Sequence, residues 1–150
     1  MIDYFDTSAL AAVLLDEPAR EPVNAFIAAA DAPPVVSDFG VAEVSSAISR
    51  LLRMRRRTLS EAQALLEHLD DWVREAGEPA SLDALDVRET TLLVRRFDLK
   101  LRAPDAFHLA ICRRLDARLV TLDNNLARAA DAVDVACINP AVDSAYRKTE

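Results

Sequence analysis

The stretch Ile2-Asp3-Tyr4-Phe5-Asp6-Thr7-Ser8-Ala9-Leu10 decides how this chain is read. Ile2, Tyr4 and Phe5 suit a buried strand. The run stops at Asp6, two hydroxyl residues follow, and an Ala- and Leu-rich segment begins. That segment reads as helix to about Asp16, with Thr7 or Ser8 as its cap. A carboxylate therefore stands where a strand ends and a helix begins. In open α/β sheets that edge is where ligands bind. Asp6 alone proves little, because Asp also caps helices. What matters is whether later segments bring more acids to the same edge.

They alternate as an α/β chain should. A helix is expected from about Pro18 to Ala30. Val35-Val36 reads as a short strand, and Ser37 or Asp38 caps a helix from about Phe39 to Arg55, with Glu43 in its second turn. Thr58-Leu59-Ser60-Glu61 has capping-box spacing, and the helix after it carries Leu65, Leu69, Trp72 and Val73 on one stripe. Gly77 is its expected C-cap. Ala80-Ser81-Leu82 is a weak strand, and a helix follows over Asp83 to Phe97. Pro104 opens another to about Leu115, with Asp105 in its first turn. Arg118 to Leu122 is a clear strand ending at Asp123-Asn124-Asn125, followed by a short helix. Val133 to Ile138 reads as the last strand and 139–150 as a loose polar tail. This alternation predicts a three-layer α/β/α sandwich with a mostly parallel sheet, in one domain spanning 1–150.

Composition narrows the chemistry. With 150 residues and about half of them apolar, the chain supports a real core. No apolar run is long enough for a membrane span, and the N-terminus does not look like a secretory signal. Cys112 and Cys137 lack metal-type spacing and read as reduced thiols of a cytosolic protein. Two glycines, Gly40 and Gly77, are too few for a phosphate-binding or dinucleotide loop. The net charge of −7 opposes broad nucleic-acid affinity. Locally, however, Arg50, Arg53 and Arg55–Arg57 form one basic block, and Arg95, Arg96, Lys100 and Arg102 another. Each suits a solvated helix end or phosphate binding about equally.

Four acids share a kind of position. Asp6 and Asp123 end strands; Glu43 and Asp105 sit in the first turns of helices that follow extended segments. In a parallel sheet all four reach one crevice. Each has an ordinary explanation as a cap, turn or solvated residue. Together they would repel one another, so one proton is kept or a cation is held, and an all-oxygen set suits Mg²⁺ or Mn²⁺. Such a site fits phosphodiester hydrolysis, with one acid orienting the attacking water. Thr7, Ser8, Thr121 and Asn124 are candidates for supporting or substrate contacts. His108 follows Asp105 by three residues on one helix face and so could touch the site; packing or a local hydrogen bond is the role expected ahead of that. Cys112 is mid-helix and a poor nucleophile. Asp6 also lacks the companions of a phosphorylated aspartate.

Four segments in order resemble the motifs of PIN-domain nucleases: Tyr4-Phe5-Asp6-Thr7-Ser8-Ala9-Leu10; Val41-Ala42-Glu43-Val44; Arg102-Ala103-Pro104-Asp105-Ala106-Phe107-His108-Leu109-Ala110; and Leu119-Val120-Thr121-Leu122-Asp123-Asn124-Asn125-Leu126-Ala127. The resemblance extends over essentially the whole chain and is to VapC-type toxins of bacterial toxin–antitoxin pairs. It implies a PIN fold, Mg²⁺ or Mn²⁺ dependence, cytoplasmic endoribonuclease activity, a VapB-type antitoxin and a homodimer to which Trp72 could contribute. By position, Asp6, Glu43, Asp105 and Asp123 are the implied metal-site acids, with Thr7, Ser8 and Thr121 assisting. Arg102, Arg53 and Arg56 are candidates for RNA contact. The antitoxin would lie in the groove between the helices near Ala11–Ala30 and Leu51–Leu69. Two alternatives stand beside this reading: a non-catalytic interaction module, and a PIN nuclease acting on DNA.

Overall fold

The computed structural model describes residues 1–15, 17–143, 145 and 146. Five strands, β1 (Ile2–Phe5), β2 (Val35–Ser37), β3 (Glu78–Ala80), β4 (Ala117–Val120) and β5 (Cys137–Ile138), form one sheet in the order β3-β2-β1-β4-β5. Every pairing is parallel. The helices between them are α1 (Thr7–Leu14), α2 (Arg20–Ala29), α3 (Asp38–Arg53), α4 (Leu59–Ala76), α5 (Ala84–Arg95), α6 (Ala103–Leu115) and α7 (Asn124–Asp131). The expected sandwich is thus observed, with the sheet wholly parallel among the described residues.

Alternation along the strands makes the three layers. Successive side chains of a strand point to opposite faces. Phe5, Val36 and Val120 pack in one core cluster with residues of α1, α2, α3 and α4. Tyr4 and Leu119 pack in a second with residues of α5, α6 and α7. Tyr4 and Phe5 are fully buried, each worth about 1.5–3 kcal/mol of apolar transfer. Tyr4 pairs in register with Val35 on one side and Leu119 on the other, so β1 is the central strand. Its last residue leads directly into the site.

Several boundaries differ from expectation. α1 stops at Leu14, and its cap is Asp6 rather than Thr7 or Ser8. The expected end at Asp16 lies outside the described residues. β3 falls at Glu78–Ala80, earlier than Ala80-Ser81-Leu82, because its pairing with β2 and not its own apolar pattern defines it. β4 ends at Val120, so Asp123 is not a strand end; it caps α7. The capping box of Thr58 and Glu61 is present. Trp72 packs against the first core cluster of its own chain. In the tail, Tyr146 stacks edge-on against Phe26 at 5.2 Å, while Ser144 and 147–150 lie outside the described residues. None of the described helices is long and apolar enough to cross a membrane.

Candidate active site

The carboxyl end of β1 turns sharply because Asp6 stays extended (φ −74, ψ 177) while α1 begins at the next residue. Its Oδ1 accepts hydrogen bonds from the Ala9 amide at 2.9 Å and the Ser8 hydroxyl at 2.7 Å. Oδ2 accepts one from the Thr121 hydroxyl at 2.5 Å. Asp6 is only 3% exposed. Burial pushes its carboxyl above the usual range, an effect that the His108 imidazole and the bonds from Thr121, Ala9 and Ser8 offset only in part.

Thr121 ties the fourth motif to the first. Beyond its bond to Asp6, its oxygen accepts from the Asp123 amide at 3.0 Å, and the Ser8 oxygen accepts from the Leu122 amide at 2.9 Å. Asp123 itself uses Oδ1 to cap α7 through the amides of Asn125 and Leu126. The Asn124 side chain makes no hydrogen bond among the described residues, so the structure does not draw it into this network.

Glu43 stands across the crevice on α3. Its Oε2 accepts from the Thr7 hydroxyl at 2.5 Å and from His108 Nε2 at 2.8 Å. Partial burial raises its carboxyl, but the His108 and Thr7 hydrogen bonds outweigh that, and the net direction is downward. Asp105 lies in the first turn of α6 with Oδ2 accepting from Arg102 Nε at 3.3 Å. Arg102, expected to contact RNA, is thus the neighbour of a site acid, although its side chain is 80% exposed. Arg53 and Arg56 line a groove of about 700 Å³ together with Thr7, Glu43 and Arg50. One of the two basic blocks therefore opens onto the site.

The structure joins Asp6 to Ser8 and Thr121, and through Thr121 to the Asp123 amide, and joins Glu43 to Thr7 and His108. The four acids do not bond to one another. Among the described residues, no three His, Cys, Asp or Glu side chains stand close enough to hold a metal ion as a set. Two observations nonetheless suit a hard cation. Glu43 Oε1 and Asp105 Oδ1 accept no hydrogen bond from the described residues, and the buried Asp6 has no Arg or Lys partner among them. Oxygen donors of this kind match Mg²⁺ or Mn²⁺.

Sequence reasoning did not find Tyr4 and Ser37 as members of the site. The Tyr4 hydroxyl lies 2.7 Å from Ser37 Oγ and 2.8 Å from His108 Nδ1. Tyr4 reads in sequence as a strand residue and Ser37 as a cap, and both are; only their hydroxyls carry the second role. The two cysteines are free thiols, and burial pushes Cys112 well up and Cys137 up to about 11.

A parallel sheet with helices on both faces, and acids at its carboxyl edge, defines a class of α/β domain with a polar crevice at the strand ends. The PIN domain family model matches residues 4–132, and the chain belongs to that family. No curated protein matches the chain. Among solved structures it is similar to FitAcB from Neisseria gonorrhoeae, with 20% identity, a TM-score of 0.75, and 94% of this chain and 99% of that chain covered. It is also similar to Mycobacterium tuberculosis VapC20, described as a sarcin–ricin loop cleaving toxin (19% identity, TM-score 0.64, coverage 85% and 94%). A toxin–antitoxin complex from Klebsiella pneumoniae gives 17% identity and a TM-score of 0.60, with 92% and 97% covered.

Proposed function

We propose that this chain is a metal-dependent endoribonuclease toxin of the cytoplasm, restrained by a cognate VapB-type antitoxin. The observation that carries the reading is Asp6, a buried carboxylate at the carboxyl edge of the central strand with hydroxyl and amide donors but no Arg or Lys partner among the described residues. A charge so placed is costly unless a cation joins it. Asp6, Glu43, Asp105 and Asp123 would hold Mg²⁺ or Mn²⁺, which supplies Lewis acidity toward the phosphodiester. Ser8 and Thr121 fix Asp6, and Thr7 fixes Glu43. Asp105 Oδ1 is free to orient the attacking water.

The groove from Thr7 and Glu43 to Arg50, Arg53 and Arg56 suits RNA phosphates arriving at the acids. Its apolar wall, with Leu15 and Leu51, suits an antitoxin segment. The similarity to a toxin that cleaves the sarcin–ricin loop and to a toxin–antitoxin complex supports both parts. Exposed Leu85, Leu92 and Phe97 offer a surface for a homodimer. The test is cleavage of single-stranded RNA by the purified chain, with flap DNA alongside. Cleavage of RNA with Mn²⁺, lost with EDTA and in Asp6→Asn, is expected; cleavage that persists in EDTA contradicts the metal reading, and preference for DNA contradicts the substrate.

A non-catalytic module is the second reading. It is favoured by the capping roles of Asp6 and Asp123 and by the absence of a three-acid cluster among the described residues. Failure to bind millimolar Mn²⁺ would select it.

A further inference from the structure

Beneath the crevice runs a buried chain of polar side chains from three separate parts of the sequence. Ser37 caps α3 by accepting the Gly40 amide at 3.0 Å. Its hydroxyl meets the Tyr4 hydroxyl at 2.7 Å, Tyr4 meets His108 Nδ1 at 2.8 Å, and His108 Nε2 meets Glu43 Oε2 at 2.8 Å. Ser37 and Tyr4 are fully buried and His108 nearly so. The protons can be accounted for in one direction: Ser37 O–H to Tyr4, Tyr4 O–H to His108 Nδ1, and His108 Nε2–H to Glu43. Every donor then has an acceptor, and the chain ends on a carboxylate.

A histidine buried only for packing needs its two nitrogens satisfied by any nearby groups. Here both are committed to side chains, one on the central strand and one on an acid of the site. His108 also sits one turn beyond Asp105 on α6, while Glu43 is on α3, so the bond ties together the two helices that carry these acids. Phe39 packs against the imidazole at 5.4 Å and limits its rotation. With Oε2 held by His108 and Thr7, only Oε1 of Glu43 is left to meet a ligand.

We propose that His108, braced by Tyr4 and Ser37, is a positioning residue that fixes Glu43 Oε2 and so presents Oε1 to the divalent ion. The inference rests on the metal-dependent reading above. Hydrogen bonds that orient a ligand in this way typically change metal affinity about 10–100-fold.

Titration calorimetry with MnCl₂ tests it on the wild-type chain and on His108→Ala, His108→Gln and Tyr4→Phe, each first checked by far-UV circular dichroism. His108→Ala is expected to weaken Mn²⁺ binding about 10-fold or more. His108→Gln keeps an N–H able to reach Glu43 and should recover most of that loss. Tyr4→Phe keeps the ring, removes only the brace, and should lie between; it also carries the test if His108→Ala does not fold. At saturating Mn²⁺, cleavage by His108→Ala should return to within a few-fold of wild type, as suits a residue acting through Glu43. Affinities for His108→Ala and Tyr4→Phe within about twofold of wild type overturn the proposal, as does a Gln variant no better than Ala. If the wild-type chain binds no Mn²⁺, the metal reading itself falls, and this inference with it.

Discussion

Among the described residues, the carboxylates of Asp3, Asp6 and Asp86 are largely removed from water, and they are paired differently. Asp3, on β1, accepts two hydrogen bonds from the Arg118 guanidinium at 2.7 and 3.1 Å, across a registered strand pair. Asp86, 1% exposed on α5, accepts two from Arg114 at 2.7 and 2.8 Å. Asp6, at the carboxyl end of the same strand as Asp3, receives only hydroxyls and an amide. Planar guanidinium forks are the ordinary means of keeping a carboxylate ionised away from water. Among the described residues, Asp3 and Asp86 have such a fork and Asp6 does not, while Asp105 at the same crevice accepts a single bond from Arg102. On the function proposed above, the difference separates acids that hold the fold together from an acid kept for a ligand.

The largest effect should appear in catalysis. Asp6→Asn or Asp105→Asn is expected to lower RNA cleavage by about 10²–10⁴-fold while leaving far-UV circular dichroism unchanged. Equal losses of activity in variants of Asp3 or Asp86 would erase the distinction between the two kinds of acid. For Arg114→Met, which strands Asp86 in the interior, we expect a loss of about 3 kcal/mol, seen as a fall in Tm of roughly 6–12 °C in a chain of this size. Asp6→Asn should behave oppositely, since it removes a buried charge that lacks an Arg or Lys partner. Its Tm near pH 7 is expected to rise by about 2–4 °C, or roughly 1 kcal/mol. A fall as large as that for Arg114→Met would mean that the charge of Asp6 is itself structural.

The smallest and most specific effect is in pH. The Asp6 carboxyl is raised on folding, so the protonated form is favoured in the folded state. Its ionisation opposes folding above the folded value, and the penalty disappears as pH falls through that value toward about 4. The gap in Tm between Asp6→Asn and wild type should therefore narrow between pH 7 and about pH 4. Glu43 is shifted the other way. Its contribution is present above the ordinary carboxylate range and is lost only as pH falls below it, so the two groups can be told apart by melts across the pH range.

How far the sequence leads depends on whether a feature is local. The β1–α1 turn, the capping box of Thr58 and Glu61, and the alternation of strand and helix rest on neighbouring residues, and all are found. β3 lies two residues before the expected Ala80-Ser81-Leu82 because Glu78-Pro79-Ala80 has no strand pattern of its own; β2 alone makes it a strand, at an edge that tolerates proline. Asp123 looks like a strand end, yet β4 stops at Val120, and the intervening Thr121 becomes the residue that touches Asp6. The brace beneath Glu43 joins Tyr4 to Ser37 and His108, far away in sequence, and each has a sufficient local explanation. Nothing in one sequence reveals that their polar atoms meet. The placement of Arg50, Arg53 and Arg56 beside Thr7 and Glu43 likewise depends on the packing of α1 against α3.

The difference between Asp6 and the two paired acids is tested most directly by thermal denaturation with and without MnCl₂, on wild type and Asp6→Asn at pH 7. Saturation at about 100 times Kd should stabilise wild type by about 2.7 kcal/mol, raising its Tm by roughly 5–10 °C, and should leave Asp6→Asn nearly unmoved. An equal response of the two proteins, or none in wild type, would contradict the assignment of Asp6 as the acid that awaits a cation.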